Sequence, residues 1–564
     1  MTLLGRAMEA TPGRAERALW VVAMAALVAG IACRFADFGF VALWMFVVSS
    51  VLVAIVLPLP YALVSPLFMG VAGWLVDMLP FVILCGWSAC VIRWGIRVVK
   101  ERRLPRGRGA MWLAAFLVAW TALGVVVVDA RDIRGFMLLV GIQGLFSGTI
   151  LAVLDQMRDL EARLQMTSAL VVYTLVLSVG VLLQWGGVNL EGLQDRTVAA
   201  RAEAAYGVDA FPNNLGMIKW ARATESGVDD LRRRLETVAE ENPDLPEYKA
   251  FRPKFAAFPG TLLIRFDGSA RRYEEGLDRI GVDLAFDNLG IAPANTVPRL
   301  RSFPRNALTF AGVSAVLFPL AFGLAAAGGR RSKLGWAGVV ATLFGAGFSL
   351  ARGAWIAILI GIVYLAIDGR IERRWKMRAA AAFVAAGVVL SGTFLVKYHV
   401  DPVTGRAGGG ASVNTRGDLY GDTLKSLRGV HILLGYGTTQ ARTETGTTRG
   451  GEVGRKYVPR AGTHSTYLNY LFRTGVPGTL GILALYVLAI LVARARASRD
   501  EDEERNFSAF AATAAVTAAA HAVILSIYVE PVYTLVIALV LGLSLAGAAE
   551  FSLSQLIPRR RRTA

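Results

Sequence analysis

The sequence is short of cysteine, histidine and charge. Only three cysteines and four histidines occur among 564 residues, and charged residues make up 18% of the chain. Cys33, Cys85 and Cys90 all lie in apolar segments, so the sequence predicts neither a disulfide framework nor a cysteine-based metal site. Hydrophobic residues account for 55% of the chain, which is too apolar for an ordinary soluble protein. We therefore interpret the chain as a polytopic membrane protein.

The positive charge is concentrated in short runs between apolar segments. The formal net charge is +18. Because short cytoplasmic loops collect lysine and arginine, these runs indicate membrane orientation, and nucleic-acid binding is the weaker interpretation. They predict that both chain termini are cytoplasmic. The main runs lie at residues 100–103, 158–163, 330–333, 370–378, 494–505 and 559–562.

The apolar runs predict an all-α protein with about 12–14 transmembrane helices. The first run is interpreted as an uncleaved span, since another apolar run follows at once. The weakest pair of spans flanks Pro58-Leu59-Pro60, whose connection should be cytoplasmic but carries no positive charge. Residues 333–370 are basic at both ends and too long for one span, so they should form a hairpin with its apex at residues 349–353. The predicted spans are residues 19–33, 38–57, 60–77, 79–99, 110–129, 134–154, 167–187, 306–327, 334–350, 353–367, 378–396, 466–493, 507–528 and 531–553.

Two polar stretches should then lie on the external side. The first contains a predicted charged surface helix at residues 228–242 and a short strand at Thr261–Phe266. The second is rich in glycine, threonine and arginine and is mainly loop. The predicted regions are N-terminal helices at 1–187, a large loop at 188–305, helices at 306–396, a basic loop at 397–465, and C-terminal helices at 466–564.

Three features of the sequence have both a functional and a structural interpretation. The basic loop carries ten basic and five acidic residues, so it is either an anion site or a solvated loop. Arg352, in the hairpin, either faces a polar cavity or extends to the membrane interface. His464, where the basic loop re-enters the membrane, is either a general base or an interfacial residue.

The sequence lacks the usual motifs of several kinds of enzyme. The sequence has no P-loop, no convincing dinucleotide fingerprint and no G-x-S-x-G nucleophile elbow. No histidine, cysteine or acidic cluster has convincing metal-ligand spacing. We therefore expect a reaction without a cofactor, a metal ion or a nucleotide donor, in which a base and arginines assist direct displacement.

Four blocks of sequence stand out within residues 299–480. The blocks are Arg299-Leu300-Arg301-Ser302-Phe303-Pro304-Arg305-Asn306-Ala307-Leu308; Ser349-Leu350-Ala351-Arg352-Gly353-Ala354-Trp355; Arg416-Gly417-Asp418-Leu419-Tyr420 with Leu434-Gly435-Tyr436-Gly437; and His464-Ser465-Thr466-Tyr467-Leu468 with Leu471, Gly475 and Gly478. Together they resemble the bacterial O-antigen ligase and O-antigen polymerase superfamily of membrane glycan transferases, and the last block is the most specific of the four. Ser465 stands where the family usually has asparagine, and the large loop is longer than is typical.

The resemblance implies roles for individual residues. His464 would be the catalytic general base on the acceptor sugar hydroxyl. Arg301, Arg352 and Arg416 would bind the donor pyrophosphate, and Arg299 and Asn306 belong to the same substrate-binding set. The expected partners are a glycan on undecaprenyl pyrophosphate, a lipid A core or another glycan acceptor, and membrane lipid.

The resemblance is closest to O-antigen ligase. It implies metal-independent, inverting transfer of a polysaccharide to lipid A core, at the periplasmic face of the bacterial inner membrane. An O-antigen or exopolysaccharide polymerase and a protein O-oligosaccharyltransferase remain alternatives with the same donor chemistry. A flippase or transporter of lipid-linked glycans is the alternative from another class, in which Arg352 would contact a transported anion without catalysis.

Overall fold

A computed structural model describes most of the apolar helices and four strands of the large loop. The predicted surface helix at 228–242 lies outside the described residues. These are residues 14–36, 38–76, 78–102, 108–128, 133–185, 208–213, 218–223, 249–258, 261–267, 302–304, 307–349, 351–398, 420–421, 423–425, 427–437, 465–498, 502–524 and 530–546.

Every predicted span corresponds to a helix or, in one case, to two short consecutive helices. The helices are α1 (Arg14–Phe35), α2 (Gly39–Val56), α3 (Leu59–Ala62), α4 (Ser65–Trp74), α5 (Leu79–Lys100), α6 (Arg108–Val128), α7 (Ile133–Gln156), α8 (Leu160–Trp185), α9 (Ala307–Ala326), α10 (Gly329–Phe348), α11 (Arg352–Ile367), α12 (Arg373–Tyr398), α13 (His431–Leu434), α14 (Thr466–Arg496), α15 (Asp502–Ile524) and α16 (Pro531–Leu545).

Within the described residues, eight helices are long and apolar enough to cross a membrane. These are α1, α2, α5, α6, α7, α8, α9 and α14. Shorter apolar helices are formed by α3 and α4 together, by α11 and by α16. The prediction of a helical, multi-pass membrane protein is therefore confirmed.

The predicted hairpin between residues 333 and 370 is present as α10 and α11. Its apex is compact, because the buried Ser349 hydroxyl donates to the Ala346 carbonyl oxygen at 2.8 Å. The same hydroxyl accepts a hydrogen bond from the Ala351 amide at 3.4 Å. Arg352 is thereby held at the first position of α11.

The weak span near Pro58 is a broken helix whose end is capped by a distant arginine. Pro60 and Pro66 lie in the first turns of α3 and α4, where a missing N–H group is tolerated. The half-buried Arg93 of α5 donates to the carbonyl oxygens of Ala54 at 2.9 Å and Leu57 at 2.7 Å. Another helix thus supplies the positive charge that the Pro58 connection lacks, at the negative end of the α2 dipole.

The core is centred on α9 and α16. All residues of α16 are buried, and α9 is packed closely against α10 and α15. Close packing with α10 depends on a small residue, since a Cβ atom at Gly335 would overlap the backbone of Ala325. Small residues at helix contacts are typical of membrane bundles because they let backbones approach.

The large loop contains a four-stranded antiparallel sheet. Its strands are β1 (Val208–Asn213), β2 (Ile218–Ala223), β3 (Lys249–Phe258) and β4 (Thr261–Asp267), in the order β1-β2-β4-β3. The pairs β1–β2 and β3–β4 are hairpins, and β2 pairs with β4 through Trp220 and Leu263. The short strand predicted at Thr261–Phe266 is confirmed as β4.

The bundle has two chemically different ends. The basic end contains Lys100, Arg158, Arg331, Arg370 and Arg494, and an ion pair between Arg331 and Glu161 joins α10 to α8 there. The other end, here called the motif end, carries the described parts of the sequence blocks that precede α9 and α14 and that join α10 to α11.

Candidate functional site at the motif end

Arg352 is the one predicted site residue that lies within the described part of the chain. His464, Arg299, Arg301, Asn306 and Arg416 lie outside it, so their roles stay predictions. Their described neighbours in sequence are Ser302 and Phe303 in the first block, Ala307 at the start of α9, and Ser465 at the start of α14. The contacts of these neighbours show how the described part of each block is held.

Arg352 is an exposed cation at the N-terminus of a helix. Its predecessor Ala351 is extended, with φ −87° and ψ 98°, and provides no side-chain cap for α11. The positive end of a helix dipole disfavours a cation but favours an anion, which its backbone N–H groups can bind. The guanidinium adds a planar fork of donors beside those groups. Together these features are suited to an anionic ligand.

Ser302 is locked in a strained conformation against α8. Its φ is +59°, which is uncommon for a residue other than glycine. Its hydroxyl donates to the Leu177 carbonyl oxygen at 2.5 Å, and the adjacent Phe303 ring packs edge-on against Trp74 with centroids 5.3 Å apart. A Cβ atom at Gly180 would overlap the Ser302 hydroxyl, so the contact requires glycine there. The chain immediately after Arg301 is therefore fixed.

The N-terminal half of α9 brings the other elements of the motif end together. A Cβ atom at Gly345, near the end of α10, would overlap Ser314 and approach Phe310 to 2.7 Å. On another side of α9, a Cβ atom at Gly312 would lie 2.7 Å from both His521 and Tyr533. The hairpin apex and the facing ends of α15 and α16 thus pack against the same helix.

Ser465 anchors the start of α14 to the end of α15. It is extended, with φ −145°, and its hydroxyl accepts a hydrogen bond from the Leu468 amide at 3.5 Å as the helix N-cap. The Ser465 hydroxyl also lies 3.5 Å from the Ala522 carbonyl oxygen. Two residues further along, the Tyr467 hydroxyl donates to the Ala519 carbonyl oxygen at 3.2 Å. Ser465 is therefore the N-cap of the helix that follows residue 464.

The described part of the third block docks onto the fourth. The Tyr436 amide donates to the Phe472 carbonyl oxygen at 2.7 Å, and the Gly437 amide donates to the backbone carbonyl oxygen of Arg473 at 3.1 Å. Tyr436 stacks between His431 and Phe472, with centroid distances of 4.0 and 4.9 Å. These contacts hold the segment 427–437, which belongs to the basic loop, against α14.

Glu530 and the pair His521–Tyr533 were not predicted from the sequence. The Glu530 carboxylate caps α16 by accepting from the Tyr533 amide at 2.7 Å, and the Tyr533 hydroxyl lies 2.6 Å from Nδ1 of the buried His521. Burial raises the pKa of Glu530 to about 7, while its backbone hydrogen bonds from Tyr533 and Val532 act in the opposite direction. The signal in the sequence was an acidic residue directly before Pro531 at the start of a predicted span.

The described side chains suggest anion binding and proton exchange at this end. Among the residues that the structure describes, no group of three histidine, cysteine or acidic side chains is placed to hold a metal ion. Arg352 and the α11 N-terminus are suited to phosphate oxygens, whereas Glu530 can exchange a proton near neutral pH.

Comparison with known proteins identifies one matching family. No curated protein matches the chain. Residues 337–483 match the sequence model of a family described as O-antigen ligase. The matched region begins within α10 and ends within α14, so it includes Arg352, the segment 420–437 and His464. This match agrees with the resemblance seen in the sequence for the second, third and fourth blocks, and it supports a glycosyltransferase-like enzyme in a multi-pass membrane protein.

Proposed function

We propose that the protein is an O-antigen ligase-type glycosyltransferase. It moves a polysaccharide from undecaprenyl pyrophosphate to a hydroxyl of lipid A core, without a metal ion or nucleotide and with inversion at the anomeric carbon. The reaction takes place at the motif end. By the positive-inside rule, the basic end faces the cytoplasm and the motif end faces the periplasm of the inner membrane.

One observation supports the proposal most strongly. Described residues from all four blocks lie at one packed end of the bundle, although more than 160 residues separate the first block from the last. Ser302 contacts α8, Arg352 begins the helix α11 that packs beside α9, Tyr436 contacts α14, and Ser465 contacts α15. His464 and Arg301 directly precede two of these anchored residues in the sequence.

The proposed chemistry is a direct displacement. The acceptor oxygen attacks the anomeric carbon from the face opposite the pyrophosphate, and the bond between that carbon and the pyrophosphate oxygen breaks. The acceptor proton passes to His464, while the bonding electron pair leaves with the pyrophosphate. General-base assistance of this kind contributes about 10²–10⁴-fold to the rate.

The arginines act on the leaving group. Negative charge develops on the pyrophosphate as the bond breaks, and fixed guanidinium groups in a site of low dielectric stabilise that charge. Arg301, Arg352 and Arg416 are the proposed ligands, with Arg299 and Asn306 in the same binding set. Arg352 combines its fork with the positive end of α11, so it is the residue whose described surroundings best suit this role.

The choice of acceptor separates the proposal from its alternatives. Purified protein is given one lipid-linked donor with either lipid A core or a second lipid-linked repeat unit, and the extended species are identified by mass spectrometry. Extension of lipid A core is expected. Extension of only the repeat unit would assign a polymerase, and movement of the donor across vesicles without any new glycosidic bond would assign a transporter.

A further inference from the structure

A short apolar stretch of the basic loop packs against two helices at the motif end. This stretch, here called the apolar segment, is residues 429–437 and contains α13. It contacts both α6 and α14. All its residues are aliphatic, aromatic or glycine except His431. The sequence predicts an external loop here, whereas the composition of the segment is that of chain in contact with lipid.

The contact with α6 lies below the end of that helix. A Cβ atom at Gly124 would lie 2.8 Å from the Leu434 carbonyl oxygen, and a Cβ atom at Gly437 would lie 3.4 Å from Cα of Val125. Because α6 has 21 residues, it is about 31 Å long, close to the roughly 30 Å thickness of the apolar bilayer layer. Gly124 is about 6 Å before the last residue of α6, Val128. The segment therefore reaches about one helical turn into the apolar layer.

The backbone of the apolar segment is hydrogen-bonded as apolar surroundings require. Each N–H group from His431 to Gly437 donates to a carbonyl oxygen of the protein. The N–H groups of residues 431–435 donate to carbonyl groups of residues 428–431, and those of Tyr436 and Gly437 donate to α14. An unpaired backbone N–H group is costly in hydrocarbon but is satisfied by solvent in a loop exposed to water. This complete pairing is a second, independent indication of insertion.

The aliphatic side chains of the segment are exposed. Val430, Ile432 and Leu433 have exposed fractions of 54%, 43% and 54%. Directly beside the contact with Leu434 and Gly437, the α6 residues 126 and 127 are also exposed valines, and α6 is long and apolar enough to cross the membrane. The exposed aliphatic groups of the segment thus continue the lipid-facing surface of α6. Acyl chains solvate such groups, whereas water does not.

The basic side chains lie before the apolar segment, which itself has no lysine, arginine or acidic residue. Lys425 and Arg428 are exposed, and Nε of Arg428 donates to the Lys425 carbonyl oxygen at 3.2 Å. Within the segment, the polar rings of His431 and Tyr436 stack on each other, and Arg473 of the adjoining α14 is half-buried. Basic groups at the start and aliphatic groups beyond them are typical of a segment that lies at a membrane interface.

We propose that the apolar segment inserts into the lipid leaflet at the motif end as a short re-entrant anchor. Val430, Ile432 and Leu433 lie among the acyl chains, and Lys425 and Arg428 contact the phosphate groups of the lipid headgroups. Insertion fixes the depth of the third sequence block relative to the bilayer. The proposal concerns contact with bilayer lipid and does not depend on the transferase reaction.

The test measures the accessibility of a nitroxide label in the full-length protein in lipid nanodiscs. The three natural cysteines are replaced by serine, and the label is attached to Ile432→Cys. Relaxation of the label by oxygen, which concentrates in the bilayer, is compared with relaxation by a nickel chelate that stays in water. Val127→Cys on α6 is the lipid reference, and Glu503→Cys, which is exposed at the basic end, is the water reference. The ratio of oxygen to nickel accessibility at position 432 should match the lipid reference and exceed the water reference severalfold.

Two results would overturn the proposal. A ratio equal to that of Glu503→Cys would show a solvated loop, and low accessibility to both reagents would show that protein covers the segment. If the cysteine-free chain does not fold, p-benzoylphenylalanine replaces Ile432 in the chain with its natural cysteines. Irradiation in nanodiscs should then add the mass of one phospholipid to the protein, whereas the same group at position 503 should add none. Failure to form the lipid adduct at position 432 would also contradict insertion.

Discussion

Gly475 and Leu433 are in direct backbone contact across the junction of the third and fourth sequence blocks. Gly475 has φ +67° inside α14, and a Cβ atom there would overlap the Leu433 carbonyl oxygen. The kink lets α13 approach α14 closely enough for the amides of Tyr436 and Gly437 to bond to its carbonyl groups. Gly475 thus controls how these two blocks meet.

Gly475→Ala should separate the two blocks. Alanine at this φ is strained by roughly 1–3 kcal/mol, and its methyl group has no space, so the melting temperature and transferase activity should both fall. Gly387→Ala is the matched control, because a Cβ atom on this α12 glycine meets no atom within 4 Å. Equal melting temperatures for the Gly475 variant and the wild type would show that the kink is not needed.

Arg352→Lys tests whether two-pronged contact with the donor is required. Lysine keeps the positive charge but lacks the planar fork of donors. Loss of one charge-assisted hydrogen bond, about 1.5–3 kcal/mol, should lower kcat/KM by roughly ten- to a hundredfold. Arg373→Lys is the control, since Arg373 is also an exposed arginine at the first position of a helix but lies at the basic end. Unchanged turnover of the Arg352 variant would favour an arginine that only extends to the membrane interface.

Much of the fold followed from the sequence because apolar length and basic runs are local signals. The hairpin of α10 and α11 and the strand β4 were predicted from such signals and are present. The Arg93 cap on α2 could not be predicted, since nothing local pairs an arginine with carbonyl groups 36 and 39 residues away. The same applies to Glu530, whose raised pKa depends on tertiary burial.

The candidate site was predicted less completely than the fold. The motifs identified which blocks should be functional, and Arg352 lies at the predicted hairpin apex. The sequence did not reveal what holds the blocks in place, namely the strained Ser302 on α8, the Ser465 cap beside Ala522, and the glycines that admit close contact. These depend on shape complementarity between helices distant in the chain.

Glu530→Gln should flatten the pH dependence of stability. The folded-state pKa of about 7 lies above the ordinary value of 4.5, so the folded protein binds this proton more tightly than the unfolded chain does. Its contribution to stability is complete below about pH 4.5 and is lost as the pH rises through 7. Melting temperatures from pH 5 to 8 should therefore decline less in Glu530→Gln than in the wild type, with exposed Glu503→Gln as the control. Identical slopes for all three proteins would contradict this expectation.

Removal of divalent ions should not affect transfer. The proposed mechanism uses a histidine base and arginines, so the purified protein should keep its full rate in an excess of chelator. The rate is measured before and after chelation and again after magnesium or manganese is restored. Loss of activity that only the restored ion reverses would reject the metal-free mechanism.

The most direct test of the account is the transfer reaction of His464→Ala and His464→Gln. Each purified variant is given a glycan on undecaprenyl pyrophosphate and lipid A core, and both the joined product and the released undecaprenyl pyrophosphate are quantified. The account predicts that the wild type forms the two products in equal amounts, while both variants are inserted in the membrane normally but lose about 10²-fold or more in rate. Wild-type rates in either variant would remove His464 from the mechanism and contradict the proposed site.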